Sequence, residues 1–453
     1  MTVASLPYRA RRRTATWRHV RDDSVPEGRP APHAVGLRRL LTAEAVLAAT
    51  TFVVVALAWS AHVHQTGRDL ANSGYVYERI AELVLAGEVP YRDFLLEYPP
   101  LMLVPALPVA SVTHSTDQFY VAYAGLMAVI GGLGVLFVAR TLVLLGRTTK
   151  QRRTVLAALA LLPLAFGSVA LSRFDLMAAS LVALAVLLVV ARRTRAAAFA
   201  LGLGIGTKLY PALLLPLLVA LAWRREGRGP ALRSAVVGIG TALAVYLPFV
   251  LVSPGGVADS FRYNLDRPLQ LESVGASVLV ALHHVAGVEL HRSDGYGSAN
   301  LEGVGGVTFA QNALLVALVV LCWAGFIRAA PTDERFVRFS GLVLLAAVAF
   351  SKVGSPQFLL WLAFPLALQR GRRGAVTGML FALAAVATAA YFPWRYDSYA
   401  RFDDPWGAAL VLLSSVALVT ALVVLAWRSA PDRETEAQPD AAAMHHEPKI
   451  VSR

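Results

Sequence analysis

The sequence has little cysteine and few charged residues. Its single cysteine, Cys322, excludes a disulfide framework and a metal site built from several cysteines. Only 16% of the 453 residues are charged, whereas a soluble domain has about one quarter. This shortage excludes a soluble globular enzyme and a disordered chain. In contrast, 57% of the residues are hydrophobic and the mean hydropathy is +0.57. The composition therefore predicts a polytopic membrane protein.

The net charge of +13 has a topological explanation. The basic residues form short runs between apolar segments, as the positive-inside rule requires of cytoplasmic loops. A nucleic-acid partner is therefore not expected. Residues 1–40 carry nine arginines and are predicted to be a cytoplasmic tail that contacts anionic membrane lipids. Residues 428–453 are predicted to be a disordered cytoplasmic tail.

Residues 41–427 are predicted to form an all-α bundle of about twelve transmembrane helices. The spans were chosen so that the basic loops lie on the cytoplasmic side and the other loops lie outside. They are about 41–62, 119–145, 154–171, 176–191, a broken pair within 197–223, 231–252, 306–328, 338–351, 357–369, 375–392 and 406–427. A break is expected at Tyr210-Pro211, because proline disfavours helix in the residue before it. A second short pair is expected to be joined on the outer side by residues 351–357, so that it ends inside at the basic residues 370–373.

Two loops are predicted on the outer side, at 63–118 and 253–305. Each contains an apolar stretch, 99–113 and 276–288, that is shorter than the roughly 20 residues of a membrane span. We expect the first stretch to be re-entrant or juxtamembrane.

The ionisable residues near membrane depth collect at the predicted outer ends of the spans. Such residues are costly in a membrane and are usually functional. The set comprises Asp93, Glu97, Arg173, Asp175, Lys208, Arg267, Glu272 and Lys352. A partly desolvated carboxylate could act as a general base, and the cations could hold a phosphate. A phosphate held at a membrane surface most naturally belongs to a lipid carrier.

Five motifs in the outer segments resemble those of glycosyltransferase family 87, in the GT-C superfamily. That family includes polyprenyl-phosphate-mannose-dependent α-mannosyltransferases of actinobacteria. The resemblance covers about residues 70–370. Its motifs are Pro-Tyr-Arg-Asp-Phe-Leu-Leu-Glu-Tyr-Pro-Pro-Leu at 90–101, Ser-Arg-Phe-Asp-Leu at 172–176, Thr-Lys-Leu-Tyr-Pro at 207–211, Arg-Pro-Leu-Gln-Leu-Glu-Ser at 267–273 and Ser-Lys-Val-Gly-Ser-Pro-Gln at 351–357.

Twelve spans with basic loops on the inner side predict that both termini are cytoplasmic. The resemblance implies a GT-C-like bundle and an inverting sugar transfer at the outer face of the plasma membrane. The donor would be a sugar, expected to be mannose, on polyprenyl phosphate. The acceptor would be a hydroxyl of an envelope glycolipid, glycan or protein. No cofactor is expected. The sequence has neither a Walker loop nor a Rossmann glycine pattern. The need for a divalent metal stays open.

The resemblance also implies roles for named residues. Candidates for the base are Asp93, Glu97 and Asp69, in that order. Many relatives carry an aspartate about 20 residues before the Pro-Tyr-Arg-Asp run, where this chain reads Asn-Ser-Gly-Tyr-Val-Tyr at 72–77, so the base stays open. The donor phosphate would be bound by Lys208, Lys352, Arg267 and Arg173. The substrates would be contacted by Tyr98, Asp175, Tyr210, Gln270, Glu272 and Gln357.

Several alternatives stay open. Asp93 and Glu97 could be solvated loop residues paired with Arg92 or Arg79, and Arg173 could pair with Asp175. The aromatic residues Tyr391, Trp394, Tyr396 and Tyr399 are interpreted as an interfacial belt. At the level of function, the chain could instead be a transporter or flippase of lipid-linked saccharides, or a non-catalytic scaffold for envelope synthesis.

Overall fold

A computed structural model describes residues 42–65, 71–166 and 169–427. Helices dominate these residues, and a small sheet accompanies them. The helices are α1 Ala43–Gln65, α2 Ala71–Leu85, α3 Leu103–Ala110, α4 Thr116–Leu144, α5 Thr149–Ala160, α6 Leu162–Phe166, α7 Val169–Ser172, α8 Asp175–Val190, α9 Thr194–Thr207, α10 Leu215–Glu226, α11 Arg228–Val252, α12 Pro254–Asp266, α13 Val274–Ala286, α14 Gly305–Arg328, α15 Asp333–Phe350, α16 Leu360–Ala367, α17 Gly371–Tyr391, α18 Tyr396–Ala400 and α19 Pro405–Ala426.

Six of the described helices are long and apolar enough to cross a membrane: α1, α4, α11, α14, α17 and α19. Each coincides with a span predicted from the sequence. The lengths and apolar composition of these helices confirm the predicted class, an all-α membrane protein. The remaining predicted spans correspond to shorter helices, and the total of twelve stays a prediction.

The two predicted helix breaks are present. Helix α9 ends at Thr207, Lys208 is extended, and a 3-10 turn begins at Tyr210. Likewise, α15 ends at Phe350 and a 3-10 turn begins at Pro356. In both turns a proline lies in the first two positions, where its missing N–H costs least.

The predicted span at about 154–171 does not consist of one unbroken helix. Helix α5 ends at Ala160, and the short helices α6 and α7 follow it. Pro163 lies second in α6, and its ring opposes continuation of the preceding helix. The proline rule that predicted the break at Tyr210-Pro211 applies here as well.

The predicted outer loop 253–305 is more ordered than its sequence indicates. It contains α12, α13 and an antiparallel sheet with the strand order β1-β3-β2. The strands are β1 Leu269–Gln270, β2 His291–Gly295 and β3 Ser298–Glu302. The sheet is an addition to the predicted all-α class. Its strands are too short, and β2 too polar, for an apolar alternation to mark them.

Two hydrophobic clusters hold the described residues together. The larger lies among the bundle helices, where α8 packs between α4 and α9. The small residue Gly134 allows α4 to come close to its neighbours, since a Cβ there would collide with the ring of Phe364 on α16 and with the Ser180 hydroxyl on α8. The smaller cluster joins the sheet to α13, α18 and α19. It forms the support beneath the cavity described below.

Ion pairs connect the helix ends remote from that cavity. Arg147 forms two hydrogen bonds of 2.8 Å to Glu334, and Arg152 Nε lies 2.7 Å from Glu44. Asp333 pairs with both Arg225 and Arg192. We call this set the ion-pair face. It brings together loops that were all predicted to be cytoplasmic from their basic residues.

Candidate functional site

A cavity of about 510 Å³ opens at the broken ends of the helices. It lies where α9 and α17 end, where α8 and α18 begin, and beside the sheet. Its wall is formed by Val76 and by residues from the segments 97–99, 173, 208–210, 264–272, 296–297, 355–361 and 392–397. Residues far apart in sequence therefore share one space.

Nine of the thirteen site residues predicted from the sequence line this cavity: Glu97, Tyr98, Arg173, Lys208, Tyr210, Arg267, Gln270, Glu272 and Gln357. Asp93, Asp175 and Lys352 do not line it. Asp69 lies outside the described residues.

Asp93 belongs to an exposed turn. Its Oδ2 accepts hydrogen bonds of 2.8 Å from the amide of Val89 and from Nη2 of Arg92. These hydrogen bonds lower the pKa of Asp93 to about 2. A carboxylate of such low basicity is a weak proton acceptor, and the geometry matches the alternative interpretation of a loop ion pair.

Glu97 differs from Asp93 in its surroundings. Its carbonyl oxygen accepts a hydrogen bond of 2.9 Å from Asn264 Nδ2, and the next carbonyl, that of Tyr98, accepts one of 2.6 Å from the Tyr91 hydroxyl. These contacts fix the backbone on both sides. Yet Oε2 of Glu97 is buried and has no hydrogen-bond partner in the described part of the chain. A buried polar atom without a partner indicates a place for a ligand or water.

Lys208 and Asp175 form a buried ion pair at the bottom of the cavity. The Lys208 ammonium lies 3.1 Å from Oδ1 of Asp175, which also accepts a hydrogen bond of 2.7 Å from Trp361 Nε1. The ammonium also lies 4.4 Å from the centre of the Phe174 ring. Asp175 is completely buried, so it positions Lys208 instead of facing the cavity. It does not pair with Arg173 in the manner considered from the sequence.

Arg173 reaches the segment in which relatives were expected to carry an aspartate. Its Nη1 donates a hydrogen bond of 3.5 Å to the Tyr77 hydroxyl. Tyr77 is buried between Tyr98 and Phe174, with ring centres 5.9 and 5.4 Å away. A tyrosine hydroxyl therefore faces a cavity cation at this place.

Arg267 lies at the end of α12 and contacts the turn between β2 and β3. Its Nη2 donates a hydrogen bond to the carbonyl oxygen of Tyr296. Its Nε is buried and has no hydrogen-bond partner among the described residues. One donor of the guanidinium is therefore left for another group.

Lys352 contacts segments that form the cavity wall, but it does not line the cavity itself. Its ammonium donates a hydrogen bond to the carbonyl oxygen of Leu265, and its own carbonyl oxygen accepts one of 3.0 Å from Gln270 N. A Cβ on Gly354 would collide with the backbone of Glu272. The segment 351–355 thus presses directly against the strand that carries Gln270 and Glu272. Lys352 joins these parts and does not enter the cavity.

Glu272 is the second carboxylate with a free oxygen in the cavity. It is buried, and its Oε2 has no hydrogen-bond partner in the regions described. Burial raises the pKa of Glu272 to about 7, because the charged form loses hydration. Beside it, Gln270 Oε1 accepts a hydrogen bond of 3.2 Å from the Ser355 hydroxyl.

Sequence reasoning missed several residues of the wall. Trp361 stacks on Tyr210 with the ring centres 4.2 Å apart, and it lies only four residues after Gln357.

Tyr396 lines the cavity, although it was assigned to an interfacial belt. That interpretation is also wrong for Tyr391 and Tyr399, which are buried in the smaller hydrophobic cluster. The hydroxyl of Tyr399 donates a hydrogen bond of 2.7 Å to Leu271 O.

The arrangement combines cations with two carboxylates that each keep one buried oxygen without a hydrogen-bond partner among the described residues. Arg173, Lys208 and Arg267 can bind an anion such as a phosphate, while Glu97 and Glu272 can accept or share a proton. In the described residues, no cluster of three or more His, Cys, Asp or Glu residues is placed to hold a metal ion.

Comparison with known proteins adds one match. The family model of glycosyltransferase family 87 matches residues 94–356, more than half of the chain. The matched range includes Glu97, Arg173, Lys208, Arg267 and Glu272 but not Asp93. No curated protein matches the chain.

Proposed function

The chain belongs to glycosyltransferase family 87, and on that premise we propose that it transfers a sugar, mannose, from polyprenyl phosphate to a hydroxyl group of an envelope glycolipid, glycan or protein. We further propose a GT-C-type arrangement in the plasma membrane, with both termini cytoplasmic and the cavity facing outward. The observation that carries the proposal is the meeting of Arg173, Lys208 and Arg267 with Glu97 in one cavity.

In this proposal Glu97 is the base. It takes the proton from the acceptor hydroxyl while that oxygen attacks C1 of the donor sugar. The bond between C1 and the phosphate oxygen breaks, its electron pair leaves with the lipid phosphate, and the configuration at C1 inverts. Glu97 is preferred to Asp93 because its free oxygen is buried at the cavity, whereas both Asp93 oxygens accept hydrogen bonds in an exposed turn.

The cations act on the leaving group. Lys208, Arg173 and Arg267 would neutralise the charge that develops on the phosphate, which lowers the barrier most in a site with little water. Tyr98, Tyr210, Gln270 and Gln357 would hydrogen-bond to sugar hydroxyls. Asp175 would act through Lys208, and Lys352 through the segment that it holds.

The test compares two carboxylates of the same loop. Purified full-length protein would be incubated with radiolabelled polyprenyl-phosphate-mannose and a membrane lipid extract, and transfer would be measured for Glu97→Gln and Asp93→Asn. We expect Glu97→Gln to lose activity about 100-fold or more, whereas Asp93→Asn stays within a few-fold of the wild type.

Other results would redirect the proposal. Loss of transfer in Asp93→Asn alone, with both variants folded, would move the base to the turn. No transfer by the wild type, together with movement of the lipid-linked sugar across proteoliposomes, would instead support the flippase alternative.

A further inference from the structure

Three arginines at the end of the bundle that carries the ion-pair face take no part in its ion pairs. Arg195 lies in the first turn of α9, and Arg228 and Arg233 lie in the first two turns of α11. All three residues are exposed. In the part of the chain that the structure describes, none of them pairs with a carboxylate. Their guanidinium groups are therefore available to an external anion.

The acidic side chains of this region already have partners. Asp333 pairs with Arg225 and Arg192, and Glu226 accepts a hydrogen bond from Thr194. These contacts join the end of α10 to the starts of α9 and α15. They leave a surplus of positive charge beside them.

Helices α9 and α11 lie side by side and run in the same direction. A Cβ on Gly202 of α9 would come within 2.6 Å of the Gly238 carbonyl oxygen on α11, and a Cβ on Gly206 would come within 2.9 Å of Val245. Residues that lie later in α9 therefore meet residues that lie later in α11. Close contact of this kind fixes the relative heights of the two helix starts.

The shared direction brings Arg195 to the height of Arg233. Arg195 lies seven residues before Gly202, and seven residues before Gly238 lies Ala231, two positions from Arg233. A helix advances about 1.5 Å per residue, so the two arginines lie at nearly the same level of adjacent helices. Their charges therefore belong to one layer.

Trp223 lies beside these arginines at the end of α10. Only the turn at Gly227 separates α10 from α11, and the guanidinium carbon of Arg228 lies 5.2 Å from the centre of the Trp223 ring. Trp223 is 52% exposed. An exposed tryptophan at the end of an apolar helix is typical of the membrane interface, where the lipid headgroups lie.

Apolar surface continues from this layer toward the middle of the helices. Phe199 lies one turn after Arg195, and Val236 lies about one turn after Arg233, and both are exposed. The most apolar stretch of α11 is only 11% buried inside the protein, so acyl chains must cover it. A cationic layer followed by apolar surface matches a phospholipid, in which the phosphate and the acyl chains follow in the same order.

We infer that Arg195, Arg228, Arg233 and Trp223 form a binding site for the headgroup of an anionic phospholipid in the leaflet next to the ion-pair face. A lipid with two phosphodiester groups fits best, because three guanidinium groups can neutralise both charges. Basic pockets between membrane helices bind such headgroups. A soluble anion would make no use of the apolar surface beside the arginines. The inference does not depend on the proposed reaction.

The test measures the binding of defined lipids. Purified full-length protein in a neutral detergent would be titrated with cardiolipin, phosphatidylglycerol and phosphatidylcholine, and bound lipid would be measured by native mass spectrometry. We expect cardiolipin to bind most tightly and phosphatidylcholine at least about tenfold more weakly. The double variant Arg228→Gln, Arg233→Gln should weaken cardiolipin binding about tenfold or more, because each arginine attracts the anionic headgroup. Both positions are exposed, and the unfolding temperature without lipid would verify that the variant is folded.

A second pair of arginines at the same end of the bundle provides a control with the same change of net charge. Arg328 and Arg372 are exposed, and Arg328→Gln with Arg372→Gln should leave cardiolipin binding nearly unchanged. An excess of inorganic phosphate at constant ionic strength should not displace the lipid, since it has no acyl chains.

Three results would overturn the site. An equal loss of binding in the two double variants would show that net charge alone attracts the lipid. Displacement of cardiolipin by inorganic phosphate would indicate a site for free phosphate. Equal binding of phosphatidylcholine and cardiolipin would show that the arginines do not select an anionic headgroup.

Discussion

At the scale of single residues, the ion pair between Asp175 and Lys208 is the most constrained contact of the site. The two side chains are 0% and 12% exposed, and Trp361 supplies a further hydrogen bond to Asp175. Removal of one member of such a pair leaves an uncompensated charge away from water, whereas removal of both need not be costly.

This asymmetry gives a prediction for a double substitution. Asp175→Asn and Lys208→Met should each lower the free energy of unfolding by about 3 kcal/mol. The double variant should recover most of that loss, while sugar transfer stays abolished because the phosphate has lost a cation. Thermal unfolding in detergent and the transfer assay would measure both effects. Additive losses in the double variant would show that the pair is not coupled.

Glu272 predicts a pH dependence of stability. Its pKa in the folded protein, about 7, lies above the ordinary glutamate value of 4.5, so the folded state binds more protons between these values. Stability should therefore fall as the pH rises from about 4.5 to about 7, by an order of about 3 kcal/mol, and stay level above that.

The comparison with Glu272→Gln isolates this effect. The variant should unfold at the same temperature as the wild type at about pH 5, where the wild-type side chain is neutral. At about pH 8 the variant should unfold at a temperature several degrees higher. A difference between the two proteins that is independent of pH would contradict the shifted pKa.

Much of the site was predictable at this scale, and the gaps have physical reasons. Charged residues at predicted membrane depth are costly, and this cost identified Glu97, Arg173, Lys208 and Arg267 from the sequence. The sequence could not distinguish Asp93 from Glu97, because both lie in one loop. Only the structure shows that Asp93 pairs with Arg92. Aromatic side chains carry no such cost, so Trp361 was not singled out and Tyr396 was assigned to an interfacial belt.

At the scale of elements, a close approach joins α12 to the turn at Tyr91. A Cβ on Gly256 would overlap the Tyr91 carbonyl oxygen, and the Ser253 hydroxyl donates a hydrogen bond of 3.1 Å to the same oxygen. A Cβ on the neighbouring Gly255 would meet no described atom within 4 Å. Two adjacent glycines in one helix therefore have different surroundings.

We predict that Gly256→Ala destabilises the protein by about 2 kcal/mol, because the backbone of one element must move. Gly255→Ala should be neutral or slightly stabilising, since alanine favours a helix over glycine. Unfolding temperatures of the two variants in the same detergent would test this. Equal stability of the two would contradict the tight contact between α12 and the turn.

The elements that sequence reasoning found are those with strong local signals. Length and apolar composition predicted the six long helices. A proline predicted the break after α9, and the alternation of the basic loops predicted the break after α15. The sheet escaped prediction because β1 has only two residues and its stability comes from Leu269 and Leu301 packing across the strands. Tertiary contacts of this kind leave no periodicity in the chain.

At the scale of the whole molecule, the cavity and the ion-pair face lie at opposite ends of the same helices. Helix α9 ends at Thr207, directly before Lys208 of the cavity, while its first residue, Thr194, hydrogen-bonds to Glu226 near Arg225. Helix α15 begins at Asp333 and Glu334, and it ends at the segment that carries Lys352. The arrangement agrees with the alternation that the basic loops predicted.

Cysteine labelling would test the orientation. In a background with Cys322→Ala, Asp294→Cys and Asp397→Cys should react with a membrane-impermeant maleimide on intact cells. Arg153→Cys and Arg228→Cys, at the ends remote from the cavity, should react only after permeabilisation. The four positions are exposed in the structure, so that accessibility depends on the side of the membrane. Labelling in the reverse order would place the cavity in the cytoplasm.

The long helices differ greatly in how far protein encloses them. Only 11% of the most apolar stretch of α11 and 17% of that of α14 is buried inside the protein. Acyl chains must surround the rest, and a fluid hydrocarbon accommodates leucine, valine or isoleucine equally well. Among natural variants, exchanges between these residues should therefore accumulate on α11 and α14, whereas selection should hold the enclosed faces of α8 and α15 nearly constant.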